Sequence, residues 1–525
     1  MTTEDLIRLL TQGGLFLAAV FLGVFVAPEN PLLVISICLG VFCLVAVGRL
    51  GRRLWILFPF SAGFNGAINL VPGGLTPLQI VSLLLAAMCL YHLKADSQFR
   101  IKTGPAWIFW PMLIINGILI YNWIKGRDLG LNILGSRLVG GKGYLECLLP
   151  FLGFIAAISL YKPDAFHDRC LPLYILSGYF FDALLFSVST FLPASAPYIF
   201  RVYSSVNVEA FQALETSQVL AVSEGFILRF GRTGTLAPIL LCALQLYLPY
   251  KNWLALPQIL IGPVLFLLSI FLSLVSGFRN TLAKLFLVGA VGVWQSFGIF
   301  SFLFVLPGLG IIGSLIWIQG NLVRLPDPIQ RTMAFLPGQW DPHIVRITKD
   351  SSKFRQDLRR VYFNEFFSKN NFLGEGYLYD RDDLAYSQEQ FWRRVGYTRS
   401  DDTDEQIRDF IKRRQHHEGL LNVHHITGHV GTVIWILFSA LVLIRCLPVL
   451  FAKTPNPQTL SAHFGATLMV VSIVSFWVFY GSLRDTITEF LAFAFCFAVN
   501  RHFLYAPARP PVPAPQIQPE SPVYA

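Results

Sequence analysis

His416-His417-Glu418-Gly419-Leu420-Leu421-Asn422-Val423-His424-His425-Ile426-Thr427-Gly428-His429-Val430-Gly431 closes a long polar segment (321–429) and runs straight into the apolar run 430–450. About 20 apolar residues suffice for a helix to cross a bilayer, so this junction reads as the entry of a span. The stretch carries five of the ten histidines in the chain. At such a place they serve as a metal site, a proton relay, a general base or a merely polar interfacial face.

Composition extends the reading to the whole chain. Of 525 residues, 54% are hydrophobic and 14% are charged, against about 25% charged in soluble domains. The chain reads as an all-α polytopic membrane protein. Apolar segments fall at 13–27, 31–48, 54–70, 76–93, 106–124, 143–161, 171–192, 233–250, 253–276, 281–297, 300–320, 430–451, 460–481 and 486–504, which gives about 12–14 transmembrane helices. The weakest are 54–70, with Gly63, Asn65, Gly66 and Asn69, and the pair meeting near Gly298; either suits a tilted or re-entrant element. No cleavable signal peptide is expected, because 6–27 lacks a basic leader and flows into further spans.

The eight cysteines lie in or beside apolar runs with no CxxC, as small core residues rather than a disulfide frame or thiolate site. The net charge of +10 is what basic cytoplasmic loops supply, so nucleic acid is not an expected partner. Arg49, Arg52 and Arg53 after the second span, and Lys94, Arg100 and Lys102 after the fourth, place those loops and both termini in the cytoplasm. Loops 125–142, 193–232, 277–280 and the 321–429 segment then face outward, with Arg229, Arg232 and Arg279 among them. Arginines in outer loops run against the usual bias, and an anionic ligand on that side would explain them.

Four regions follow: membrane spans over 1–320, an extracytoplasmic segment over 321–429, C-terminal spans over 430–504, and a disordered Pro-rich tail over 505–525. In the polar segment Phe354, Leu358, Val361, Tyr362, Phe366 and Phe367 recur at helical spacing, as do Ile407, Phe410 and Ile411. It reads as a helical cap.

Arg279, in Ser276-Gly277-Phe278-Arg279-Asn280 between two apolar runs, is costly to place unless paired or functional; an Arg snorkelling to the interface is the plain alternative. Arg229 and Arg232, three apart, suit phosphate oxygens or a simple basic anchor. His425 and His429 are four apart, a spacing a helical zinc site can use, yet no HExxH or cysteine completes a shell; no metal or other cofactor is expected. Arg413 and Arg414 would oppose histidine protonation and Glu418 would favour it. Glu375 and Tyr377, in Asn371-Phe372-Leu373-Gly374-Glu375-Gly376-Tyr377, are candidate glycan contacts. Glu375 with Asp380, Asp382 and Asp383 suits a cation or a sugar hydroxyl, and a solvated acidic loop is the plainer reading.

Taken in order, these motifs resemble the O-antigen ligase and polymerase superfamily of bacterial membrane glycosyltransferases. Ser276-Gly277-Phe278-Arg279 is similar to the family's small-residue-plus-Arg motif at a span end. The large outer segment follows, with Phe372-Leu373-Gly374-Glu375-Gly376 similar to the family's glycine-pair stretch, without its proline. His417 begins the closing motif, and Gly428-His429-Val430-Gly431 supplies its Gly-x-x-Gly eleven residues on. Glu418 stands where the family commonly has Asn, and the Pro-Asn that follows its earlier Arg is absent, so either Arg229 or Arg232 matches that Arg. The likeness spans about 229–450.

The resemblance implies a GT-C-like fold in the bacterial inner membrane. It implies transfer of a glycan from undecaprenyl pyrophosphate, on the periplasmic face, to a hydroxyl of lipid A–core (ligase) or of a growing glycan (polymerase). Membrane lipids are the remaining partners. His417 would be the general base, and Arg279 with Arg229 or Arg232 would neutralise the departing pyrophosphate without a metal. A flippase of lipid-linked oligosaccharide is the reading from another class; it calls for charges spread through several spans and broken helices near the midplane. A non-enzymatic assembly subunit is a third.

Overall fold

The computed structural model describes residues 50–70, 74–126, 141–206, 230–253, 258–368, 372–377, 407–408, 411–412, 414, 416, 418–452, 459–478 and 481–505. The principal helices are α1 (Pro77–Ala95), α2 (Ala106–Lys125), α3 (Lys142–Leu160), α4 (Ala165–Phe191), α5 (Gly231–Tyr247), α6 (Gln258–Val275), α7 (Arg279–Phe297), α8 (Val305–Asn321), α9 (Asp327–Met333), α10 (Pro342–Val361), α11 (Gly419–Leu450), α12 (Leu460–Val478) and α13 (Leu483–Tyr505). Among the described residues there is no strand, only isolated bridges from Ile68 to Leu75 and Tyr203.

Seven helices are long and apolar enough to cross a membrane: α1 to α4, α7 carried on to Leu303, α11 and α12. The protein is a multi-pass, all-α membrane protein. Helices α5, α6, α8 and α13 pack among these. The spans expected at 13–27 and 31–48 lie outside the described residues, as does 506–525 of the tail.

Local chemistry sets the helix starts. Thr76 caps α1 through a reciprocal capping box with Gln79, and Pro77 takes the first position, where its missing N–H costs nothing. Asp164 caps α4 by accepting from the Phe166 and His167 amides. The weak segment 54–70 is not a continuous span: its short helix Leu57–Ser61 stops at Ala62 and the chain folds back against α4. Gly298, with φ 59°, breaks α7 from the 3-10 turn leading to α8.

Helix α13 lies at the centre. From Phe490 to Phe497 every residue is buried, whichever way it points, so no polar face is needed there. Helices α3 and α12 flank it and are the most enclosed of the spans. All six described cysteines are free, and five of them are buried.

The polar segment lies across one end of this bundle. Thr332 of α9 donates to the Leu274 carbonyl of α6 at 3.2 Å, and Ile329, Met333 and Trp340 cluster with Leu274 and Leu282. Helix α10, capped by Asp341, turns Leu358, Val361 and Tyr362 onto Ile407, Ile411 and Leu421, with Phe354 and Phe366 alongside. The periodicity read in the sequence is this face. At the opposite end Arg52 pairs with Asp96, Arg53 lies 3.6 Å from Asp164, and Tyr247 donates to the Arg169 carbonyl.

Candidate functional site

The histidine segment is built on a broken helix. Gly428 has φ 67° and ψ −164°, so α11 is two helices meeting at a kink. A kink frees carbonyls, and with His425 and Ile426 buried in the protein those carbonyls need partners from the chain itself. The glycine-pair stretch satisfies them: Glu375 N donates to His425 O and Gly376 N to Ile426 O, both at 3.0 Å, while Val430 N donates back to Phe372 O at 3.2 Å. Asn122, inside α2, donates to Leu373 O at 2.9 Å and to Ile426 O at 3.2 Å. Gly374 and Gly376 have φ 76° and 70°, and a Cβ would lie 2.4 Å from Gly428 N in the first case and 2.3 Å from Tyr144 Oη in the second. Only glycine meets both demands.

Two histidine chains leave this kink. His425, fully buried, has Nδ1 2.7 Å from His416 Nε2. Its Nε2 lies 2.7 Å from Arg414 Nη1 and 3.1 Å from Glu375 Oε2. Arg414 also donates to Glu375 Oε2 at 2.7 Å and to Gly376 O at 3.1 Å. It is the one non-glycine residue with positive φ (56°) among the described residues, a conformation that costs about 1–3 kcal/mol and concentrates at functional sites. In the second chain Tyr362 Oη meets His424 Nδ1 at 2.7 Å, and His424 Nε2 meets His429 Nδ1 at 3.1 Å. Tyr362 opens a π-helical turn, Tyr362–Phe366, and Phe367 stacks on His424 at 4.6 Å. His429 is exposed.

The zinc spacing considered for His425 and His429 is not realised. The kink separates them and each ring is directed elsewhere; among the described residues no three His, Cys, Asp or Glu converge as metal ligands. Helix α11 begins at Gly419 after an extended Glu418, so His416 lies before the helix that carries His424 and His425. Glu418 pairs with Arg359 of α10 rather than with a histidine.

The two arginine-bearing turns come together. Gly231 packs on the Phe278 ring and Gly234 on Ser276 and Thr281, and Ser276 Oγ lies 2.9 Å from Thr281 Oγ1. The arginines then diverge. Arg232 lies 3.6 Å from the buried Asp182, which accepts from Tyr203 at 2.5 Å. Arg279 turns beneath α10, where it donates to Thr348 O at 3.4 Å and flanks the Phe335 ring at 6.0 Å. Arg279 has no carboxylate partner among the described residues.

One turn of α12 joins the arginine turn to the histidine segment. Asn280, next to Arg279, accepts from Ser475 Oγ at 2.7 Å. Gly419 packs on the carbonyl of Phe476, the next residue. His417 and Arg229 lie outside the described residues, as do Asn371, Asp380, Asp382, Asp383 and Arg413.

Glu375 faces Arg414 and His425 with its side chain 35% exposed. Tyr377 turns its hydroxyl inward, 3.6 Å from Cys147 Sγ, with its ring edge-on to Tyr144; burial holds this phenol well above its ordinary pKa. Charge gathers at the same end of the spans: Arg484 meets Glu146 at 2.8 Å and Lys284 meets Glu489 at 3.7 Å. Sequence reading had not singled out Asn122, Asp182 or Tyr362 for these roles; a lone polar residue in an apolar run was the available signal for the first two. Comparison with models of known protein families and with curated protein sequences gives no match.

Proposed function

We propose that the chain is a membrane glycosyltransferase of O-antigen ligase or polymerase type, moving a glycan from an undecaprenyl-pyrophosphate carrier to an acceptor hydroxyl. In this reading α9, α10 and the glycine-pair stretch belong to a periplasmic cap over a GT-C-like bundle in a bacterial inner membrane. The observation that carries it is the meeting of the Arg279 turn with Gly419, at the start of α11, across Ser475–Phe476, with Arg279 unpaired by any described carboxylate.

The chemistry is a single displacement. The acceptor oxygen bonds to the anomeric carbon while the bond to the phosphate oxygen breaks, and that electron pair leaves on the pyrophosphate. Arg279 neutralises the developing charge in a site of low dielectric, and His417 takes the acceptor proton. Because one bond forms as the other breaks, the anomeric configuration inverts. Asp182 holds Arg232, so the second cation is Arg229 or a residue beyond the two sequence candidates. Glu375 acts through Arg414 and His425, and Tyr377 supports the fold instead of touching glycan.

A lipid-linked oligosaccharide flippase is the second reading. The charge pairs inside spans, Lys284 with Glu489 and Arg484 with Glu146, are what favour it. They sit at one end of the bundle rather than at its middle, which favours the enzyme.

The test is an in vitro reaction in nanodiscs, with a pyrophosphate-linked lipid bearing one glycan repeat, with and without lipid A–core. A ladder of longer lipid-linked glycans in the absence of core identifies a polymerase. Product formed only with core identifies a ligase. Vectorial movement of the donor with no new glycosidic bond identifies the flippase.

A further inference from the structure

Beneath α10 lies a cleft of about 410 Å³ whose lining includes Arg279, Phe335, Thr348, Lys349, Ser352 and Lys353. No aspartate or glutamate lines it, and Arg355 stands near enough to repel the Arg279 charge. Acids on or beside α10 stand next to arginines outside the cleft: Asp350 lies 4.0 Å from Arg346, Asp357 lies 3.4 Å from Arg360, and Glu418 pairs with Arg359. Lys349 and Lys353, one helical turn apart, therefore project beside Arg279 with no described carboxylate to balance them. Cations gathered in a recess repel one another until an anion enters, and the recess focuses their field. The volume falls within the usual range for small-ligand sites, about 300–1,000 Å³.

We propose that this cleft binds a phosphate or diphosphate group, held by Lys349 and Lys353 of α10 together with Arg279. The carrier of that phosphate rests on the glycosyltransferase reading; the anion chemistry does not. The lysines supply the cations that Arg232, committed to Asp182, leaves wanting. They also make α10 part of the donor site and not merely its cover.

Binding is measured with the full chain in nanodiscs of zwitterionic lipid. One arm titrates inorganic pyrophosphate by calorimetry; the other adds undecaprenyl pyrophosphate and reads retention by native mass spectrometry. Lys349 and Lys353 are exposed, so K349Q/K353Q is expected to fold. It should weaken binding by about tenfold or more. R346Q/R360Q removes the same charge from α10 outside the cleft and should leave binding within about twofold. Binding in the inorganic arm supports a site for the phosphate itself; binding in the lipid arm alone supports one completed by the tail. No binding in either arm overturns the proposal, as does equal weakening by the two double variants. Binding without any glycan transfer keeps the cleft and removes the glycosyltransferase. Transfer indifferent to K349Q/K353Q does the reverse.

Discussion

Arg414 Nη1 lies 2.7 Å from Nε2 of His425, and a guanidinium only donates. His425 therefore accepts at Nε2, carries its proton on Nδ1, and donates to His416 Nε2 at 2.7 Å. The 3.1 Å approach of Glu375 Oε2 to the same Nε2 is then two acceptors sharing one guanidinium, not a carboxylate–imidazole bond. Both rings stay neutral, and the chain of donors runs from Arg414 toward His416.

Removing that donor should reverse the chain. In Arg414→Met, Glu375 becomes the acceptor for an Nε2 proton, and His425 should switch tautomer. Solid-state NMR of ¹⁵N-histidine-labelled protein reads this directly. A tautomer unchanged by Arg414→Met contradicts the assignment.

Gly374→Ala and Gly376→Ala should each cost about 2 kcal/mol or more, since strain and overpacking add. Gly117, inside α2 with nothing within 4 Å of its would-be Cβ, is the control: Gly117→Ala should be neutral or stabilising. Thermal unfolding in detergent separates them, and equal midpoints for all three would contradict the close approach at the kink.

Asn122→Leu leaves the Leu373 and Ile426 carbonyls without their shared donor, at a cost of about 1–3 kcal/mol. Asn122→Asp should be worse, because a carboxylate would face two carbonyl oxygens. A fully stable Asn122→Asp protein would show that the α2 contact does not hold the kink.

Arg232 and Asp182 form a test of role. Breaking a buried pair on one side costs about 3–5 kcal/mol, whereas replacing both partners by apolar residues is often neutral. Arg232→Met should therefore destabilise, and adding Asp182→Leu should recover only part of the loss, because the Tyr203 hydroxyl then loses its acceptor. Undiminished stability in the single variant would return Arg232 to the candidates for phosphate binding.

Much of this was legible in the sequence because it is written locally. Span positions follow from runs of apolar residues, and the Phe354–Phe366 periodicity marked the α10 face found against Ile407 and Ile411. The glycine pair was visible, but its partner was not: Gly374 meets Gly428 and Asn122 meets Ile426, contacts between residues far apart in the chain. Lys349 and Lys353 were not singled out in the sequence, since nothing in their own neighbourhood shows Arg279 opposite. Arg414 was weighed only as a charge near histidines; its left-handed backbone and its aim at His425 depend on the fold. In 54–70 the glycines and asparagines gave the warning that hydropathy did not: the short helix Leu57–Ser61 turns back against α4 instead of continuing as a span.

The most direct measurement is the conversion of a pyrophosphate-linked glycan lipid by the purified protein, with EDTA present, compared with Arg279→Gln and His417→Ala. A new glycosidic bond of inverted configuration is expected from the unmodified protein. Each variant should lose about a hundredfold or more in rate while remaining folded. No donor consumption by the unmodified protein, or wild-type rates in both variants, would contradict glycosyl transfer at this site.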